Sequence, residues 1–301
     1  MNSFEKSAVF SNLLGLGFSP KSIIEEHLPL HQSYMASIDR GMGNISENYI
    51  RHVTEKVDGR TSQMYFLFHY GLYFDLAYSI AFSEPKMPVR FLVRGEGDDK
   101  TVMLFKRVAR IRDLDVEFIT VSSRPSFLKS ISKAINDNAL FVCFLDMPNP
   151  GSTVGLADVS LLESTLHLRD GLFKIAERYS VETTALKSIP DGTGAKLEQK
   201  KVSSLEDVVA FMEPTIKEMP HCWRTLGTLH QYATLQDRGG VFLRYAVDEF
   251  FYLFDCGAMK FFTIGEDLYD EIGQKPSSEF LEDLSEILPD YCSKPKSVFT
   301  L

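Results

Sequence analysis

The feature of this sequence that most constrains its fold is a repeated alternation, between residues 64 and 189, of short apolar runs with amphipathic segments. The apolar runs have the length and bulky side chains of buried strands; they occupy residues 64–68, 89–94, 116–121, 140–145 and 183–189. Helical spacing follows several of them, as at 72–82, 125–135, 168–179 and 205–219. Short connections between such elements favour parallel strands covered by helices. We therefore predict an α/β protein with a central, mostly parallel sheet flanked by helices.

Two further regions complete the predicted organisation. Residues 20–57 have helical patterning that begins at Ser19-Pro20, and residues 190–202, with Gly192 and Gly194, are typical of an exposed loop. The composition changes after Arg238-Gly239-Gly240, where an aromatic stretch with strand-like patterning is followed by segments predicted to be short acidic helices. We expect an α/β domain at 1–237 and a small C-terminal α+β module at 238–301.

Composition excludes several classes of protein. The net charge of −9 argues against nucleic-acid binding, which needs clustered Lys and Arg to displace counterions. No run approaches the roughly 18 to 20 apolar residues of a membrane span, and the four widely spaced cysteines indicate neither a disulfide framework nor a metal site. We expect a cytoplasmic protein without metal or cofactor, free in solution or peripheral at the inner membrane face.

Ionisable side chains directly follow three of the predicted strands. These are His69, Arg94 and Asp146. Ligands of α/β sheets gather beyond the carboxyl ends of the strands, so the three side chains are expected at one rim. Each of them alone could equally satisfy loop backbone groups, but three together indicate a site.

On these residues the chain resembles the bacterial lauroyl/myristoyl acyltransferases of lipid A synthesis, in the lysophospholipid-acyltransferase-like superfamily. The resemblance covers about residues 45–235. Its motifs are His69-Tyr70-Gly71 followed by an acid at Asp75, then Arg94, Asp146 and the segment Pro220-His221-Cys222-Trp223. It implies an acyl group moved from an acyl carrier protein or coenzyme A thioester to a hydroxyl or amine on a small molecule, lipid or peptide.

The resemblance also implies roles for individual residues. His69 would be the general base, a task suited to a side chain that exchanges its proton near neutral pH. A carboxylate would orient the imidazole, as in a protease triad in which the substrate alcohol replaces serine. Arg94, and with it Arg90, would hold a phosphate of the donor or of a lipid headgroup, while Tyr70 and Gly71 would complete the substrate-binding loop.

One departure from the family pattern concerns the acid. In the family four residues separate the His from the acid, which places Phe74 at the aligned position, whereas the acid here is Asp75. On a helix one residue rotates a side chain by about 100°. Either the local turn absorbs the extra residue, or another acid such as Asp146 serves, or catalysis has been lost.

Other interpretations of the sequence remain open. A non-catalytic protein that binds acyl chains or a biosynthetic partner on the same scaffold is the main alternative. A hydrolase with Ser122 or Ser123 as nucleophile lacks the Gly-x-Ser-x-Gly turn, and His167 is expected to be a surface or cap residue at the start of a helix. Residues 241–288 are similar to small peptide-binding modules of the coenzyme PQQ-biosynthesis chaperone type, which would suit a peptide or carrier-bound acceptor.

Overall fold

The computed structural model describes residues 1–40, 63–81, 87–93, 106, 109–110, 113–121, 125–147, 155–190, 195–274, 281, 288 and 294–301. Within these residues the chain is an α/β protein. The Arg94, Ser122 and Ser123 predictions fall outside them.

The centre of the protein is a six-stranded sheet. Its strands, in chain order, are β1 (Gln63–Leu67), β2 (Val89–Val93), β3 (Val116–Thr120), β4 (Leu140–Phe144), β7 (Glu182–Pro190) and β8 (Ala195–Lys201). Their spatial order is β3-β2-β4-β1-β7-β8, and all pairs are parallel except β7 with β8. The prediction of a mostly parallel sheet is confirmed. Strands β1 and β4 are almost wholly buried, which explains why they are continuous apolar runs.

The antiparallel edge strand β8 differs from the sequence prediction. Residues 190–202 were expected to form a loop, but residues 195–201 pair with β7 along its length. The strand is rich in Lys because its position at the edge leaves most of its side chains at least partly exposed. Its polar composition therefore reflects the edge position and was mistaken for a loop signal.

Helices cover the sheet and precede it. Their bounds are α1 (Ser3–Gly15), α2 (Pro20–Ser22), a π-helix (Ile23–His27), α3 (Leu28–Arg40), α4 (Tyr73–Ala81), α5 (Pro125–Asn136), α6 (Gly171–Tyr179) and α7 (Leu205–Glu218). Helix α2 begins at Pro20, where the sequence predicted a helix start, and the Ser19 side chain caps it. Helix α6 begins three residues later than expected because the preceding residues belong to a strand.

Two 3₁₀ helices follow α7 and cross the carboxyl edge of the sheet. They comprise Pro220–Cys222 and Arg224–Gln231, with Trp223 between them. Trp223 is completely buried and forms an isolated β-bridge with Tyr70. The Pro-x-x-Trp motif thus lies against the residues that follow β1.

Two smaller sheets accompany the central one. A three-stranded sheet joins β5 (Leu156–Leu161), β6 (Ser164–Arg169) and β9 (Ala233–Thr234), and a four-stranded sheet has the order β12-β11-β10-β13. The strands of the latter are β10 (Val241–Val247), β11 (Phe250–Asp255), β12 (Lys260–Ile264) and β13 (Ser297–Thr300), with α8 (Glu266–Gly273) after β12.

The hydrophobic core continues across the predicted boundary at residue 237. Leu243, Tyr245 and Phe254 of the four-stranded sheet belong to the same buried cluster as Phe10 of α1. Ser11 donates from its hydroxyl to the carbonyl of Cys256 at 2.8 Å. Helix α1 therefore connects the four-stranded sheet to the main core, and the division at 237 stays a prediction.

Among the described residues, none of the helices combines the length and the apolar character needed to cross a bilayer.

Candidate functional site

His69 lies at the carboxyl end of β1, two residues beyond the last residue of that strand. Its imidazole Nδ1 is 2.8 Å from Oδ1 of Asp146, which follows β4. Strands β1 and β4 are parallel neighbours, with Leu67 opposite Phe144, so their carboxyl ends bring the two residues to the same rim. The side chain of His69 is 15% exposed and that of Asp146 is inaccessible.

Four donor groups converge on the Asp146 carboxylate. Besides the imidazole, the backbone N–H of His69 donates to it at 2.9 Å, Trp223 Nε1 at 2.7 Å and Thr225 Oγ1 at 2.8 Å. Burial alone would raise the pKa of Asp146, but the charge of His69 and these side-chain hydrogen bonds outweigh it and lower the pKa. Asp146 is therefore an ionised carboxylate with all its partners supplied by the protein.

This arrangement fixes the role of each imidazole nitrogen. A carboxylate only accepts hydrogen bonds, so Nδ1 of His69 carries the proton that faces Asp146. In the neutral imidazole Nε2 then holds the lone pair, and no described residue is hydrogen-bonded to it. The pair has the geometry of a general base and its orienting acid.

Aromatic rings and one arginine surround the imidazole. The His69 ring stacks on Phe144 with centroids 4.3 Å apart and meets Tyr73 edge-on at 5.1 Å. Arg224 donates to the Tyr73 hydroxyl and lies over the rings of Tyr73 and Phe74. Its backbone N–H donates to the carbonyl of His69 at 2.8 Å. A cation thus accompanies the base at the rim.

The loop after His69 packs closely against neighbouring backbone. Gly71 has φ +60°, and a Cβ at this position would lie 1.8 Å from the carbonyl oxygen of Ser188. The Tyr70 ring is buried and its hydroxyl is shared between the carbonyls of Thr215 and Met219, at 3.0 and 2.9 Å. Tyr70 and Gly71, predicted to bind substrate, are found supporting the loop that carries His69.

Asp75 lies in the first turn of α4. None of the described hydrogen bonds or ion pairs joins it to His69, and burial raises its pKa to about 6. Of the two acids that the sequence offered as partners, the structure brings Asp146 to the imidazole.

Arg90, which the resemblance assigned to anion binding, does not lie at the rim of His69. Its guanidinium pairs with Asp115 at 2.8 Å and lies 3.2 Å from Glu117. Asp115 precedes β3, so this guanidinium is at the amino edge of the parallel sheet, opposite the rim of His69. These contacts make Arg90 a structural cation between β2 and β3. The Arg94 prediction lies outside the described residues.

The sequence did not identify Thr225 or Arg224 as site residues. Both arrive with the segment that follows α7, more than 70 residues after Asp146. The Pro-x-x-Trp motif was the available signal, since Trp223 immediately precedes them. The hydrogen bond that Trp223 donates to Asp146 gives this motif a structural role in the site.

His167 forms a second, exposed His–Asp pair. It lies on β6 and not at a helix start as predicted, because the strand continues to Arg169. Its Nδ1 is 2.7 Å from Asp158, and its Nε2 is 2.7 Å from the Thr234 hydroxyl. Both ring nitrogens are engaged, and Asp158 is largely exposed. This pair offers a matched control for His69.

The described part of the chain also contains a cavity of about 480 Å³ away from His69. It lies between α6 and the start of α7, and its lining includes Phe173, Val181 and Leu205. No group of three His, Cys, Asp or Glu side chains in the described ranges is arranged to hold a metal ion.

A scan against models of protein families found no match for this chain. A search of curated proteins likewise returned no matching sequence.

Proposed function

We propose that this protein is an acyltransferase that moves a fatty or related acyl group from an acyl carrier protein or coenzyme A thioester to a hydroxyl or amine. The observation that carries the proposal is the 2.8 Å contact between His69 Nδ1 and the buried carboxylate of Asp146. That contact leaves Nε2 as the basic atom at the rim of a parallel sheet.

In the proposed reaction His69 Nε2 removes the proton from the acceptor O–H or N–H as the acceptor atom attacks the thioester carbonyl. The new bond from the acceptor to the acyl carbon forms and the carbon–sulfur bond breaks. The proton on Nε2 passes to the departing thiolate, so the enzyme returns to its starting state. Asp146 stays ionised and stabilises the imidazolium formed between the two transfers.

Donor binding needs a cation because both proposed donors carry phosphate. Arg94 remains the predicted anchor, and we add Arg224, whose backbone contacts His69 and whose side chain lies over Tyr73. Arginine suits this task because its planar fork binds phosphate through two hydrogen bonds. A donor of this kind is consistent with a cytoplasmic protein, free or at the inner membrane face, acting on a small-molecule, lipid or peptide acceptor.

A second candidate is a non-catalytic binding protein on the same scaffold. The observation that favours it is the packing of His69 between Phe144 and Tyr73, which leaves little of the ring accessible. In that case the imidazole and Asp146 would serve to fix the loop.

The two candidates are separated by following free thiol released from a panel of acyl thioesters. We expect the wild-type protein to release thiol in the presence of an acceptor, and His69→Ala to lose at least about 10³-fold of the rate. His167→Ala, which removes the exposed His–Asp pair, is the matched control and should retain the full rate. Release that survives His69→Ala would overturn the catalytic assignment, and no release by wild type with any donor would favour the binding protein.

A further inference from the structure

The proposed mechanism does not use the hydroxyl groups of Thr225 and Tyr232, which lie next to Asp146. Thr225 Oγ1 is 2.8 Å from Asp146 Oδ2 and 3.0 Å from the hydroxyl of Tyr232. Tyr232 is 2% exposed. Its backbone is fixed by donation from its N–H to Leu229 and by acceptance from the N–H of His167 at its carbonyl. The phenol is thus held at the back of the carboxylate by the fold.

The donor and acceptor of each hydrogen bond between Tyr232, Thr225 and Asp146 follow from elementary chemistry. Asp146 is ionised and can only accept, so the single hydroxyl proton of Thr225 points to it. The oxygen of Thr225 must then accept from Tyr232, which stays protonated because burial, together with the charge of Asp146, raises its pKa well above the usual value. The hydrogen bonds therefore run in one direction, from Tyr232 through Thr225 to Asp146.

We propose that Thr225 and Tyr232 are positioning residues that set the proton affinity of His69 through Asp146. Each hydrogen bond donated to the carboxylate withdraws negative charge that would otherwise stabilise the imidazolium. Tyr232 strengthens the donation by Thr225 because hydrogen bonds in a chain polarise one another in a buried environment. The catalytic consequence rests on the proposed function, but the effect on the imidazole does not.

Loss of the Thr225 or Tyr232 hydroxyl should change the titration midpoint of His69 in a defined direction. Without donation from Thr225 the carboxylate is more negative, so the protonated imidazole is favoured and His69 titrates at higher pH. We expect Thr225→Val to raise the titration midpoint of His69, and Tyr232→Phe to raise it by less.

The test is an NMR titration of the histidine ring protons in the protein of residues 1–301. The signal of His69 is assigned as the one missing from His69→Gln. Thr225→Ser, which keeps the hydroxyl, is the control and should titrate as wild type. Trp223 is the single tryptophan of the protein, so its fluorescence shows whether each variant retains the packing around Asp146. A midpoint that is unchanged in Thr225→Val with native fluorescence would overturn the proposal.

The double variant tests whether Tyr232 acts through Thr225. If it does, Thr225→Val/Tyr232→Phe titrates at the same midpoint as Thr225→Val alone, because the link has already been removed. Additive shifts in the double variant would show that Tyr232 acts independently, and the relay would be wrong.

A kinetic measurement separates this inference from the proposed function. In an active enzyme, the pH at which thioester consumption falls on the acid side should move up in step with the NMR midpoint. If wild type consumes no thioester, the proposed function fails while the titration still decides the role of Thr225 and Tyr232.

Discussion

Asp146 lies where several separate parts of the chain meet, and every group facing it is a donor. Two of its partners belong to His69, while Trp223 and Thr225 arrive from the segment after α7. In a buried environment such a site tolerates an acceptor only, because a donor placed there would face other donors. A side chain of the same size as Asp146 that carries a hydrogen-bond donor would therefore not fit this position.

Asp146→Asn tests this requirement with almost no change of shape. The amide N–H₂ must face one of the four donors, and an imidazole that accepts from it would lose the lone pair at Nε2. We expect thiol release to fall by about 10³- to 10⁴-fold and the free energy of unfolding by about 1 to 3 kcal/mol. Urea unfolding checks the second figure. Asp158→Asn, in the exposed pair, should change neither.

Gly71 is the residue at which backbone geometry is most restrictive. Gly71→Ala places a methyl group against the Ser188 carbonyl in a left-handed conformation, so we expect a loss of about 3 kcal/mol or more in the free energy of unfolding. Gly171→Ala is the matched control, because its Cβ would meet open space at the first turn of α6. Its stability should be unchanged or higher by up to about 1 kcal/mol. Equal losses in the two variants would contradict this account.

Single site residues could be predicted where a short stretch of sequence determines their position, and were missed where a distant contact determines it. His69 and Asp146 each follow an apolar run, so parallel pairing alone brings them to one rim. The choice between Asp75 and Asp146 depended on side-chain directions around a turn, which spacing does not determine. Thr225 was missed because its partner is 79 residues away and nothing local marks it.

Elements were predictable where their apolar periodicity was strong. Strands β1 to β4 and helices α5 and α7 have clear patterns and were found at nearly the predicted positions. Strand β8 was missed because an edge strand has no continuous apolar face. The π-helix was not predicted either, and His27 at its end joins a cluster with His31 and His221.

This histidine cluster packs the N-terminal helices on the segment before Trp223. The rings of His27 and His221 stack at 6.3 Å, and His31 Nδ1 donates to the carbonyl of His221 at 2.8 Å. Burial lowers the pKa of all three, and the other two imidazoles lower that of His221 further. The opposing effects, from the His221 carbonyl on His31 and from the charges of Glu26 and Glu5, are smaller. The Nδ1 atoms of His27 and His221 have no hydrogen-bond partner among the described residues. The folded cluster therefore favours neutral imidazoles.

Acid should consequently destabilise the protein through this cluster. Below pH 6.5 these histidines bind protons more readily in the unfolded chain than in the folded protein. The stability that the cluster contributes is therefore present above that pH and falls as the pH decreases. We expect His27→Phe to match wild type at pH 8 and to lose less stability at pH 5.5, by on the order of 1 kcal/mol. Urea unfolding at both pH values, followed by Trp223 fluorescence, measures the difference. An identical loss in wild type and variant would rule out His27 as a source of the acid sensitivity.

At the scale of the whole molecule, α1 joins regions that the sequence assigned to different domains. Phe10 is fully buried and packs on Phe299 of β13, with ring centroids 6.0 Å apart. Arg238 donates to the Ser11 hydroxyl at 2.8 Å. The change of composition near residue 238 is real, but composition does not reveal that α1 packs against β13.

Phe10→Ala tests whether the two regions unfold together. Removing a buried phenylalanine ring costs about 3 to 5 kcal/mol, and a shared core predicts one transition that shifts as a whole. Far-UV circular dichroism and Trp223 fluorescence should give coincident midpoints in both proteins. Two transitions, of which only one moves in the variant, would instead support separate units at 1–237 and 238–301.

The long reach of the Asp146 hydrogen bonds has a consequence for biosynthesis of the chain. A ribosome that has translated the first 150 residues has already made His69 and Asp146, but it has not yet made Trp223 or Thr225. Until both emerge, the carboxylate lacks two of the donors that allow it to be buried as a charge. The nascent polypeptide thus acquires the complete set of donors to Asp146 only after the segment that follows α7 has been translated.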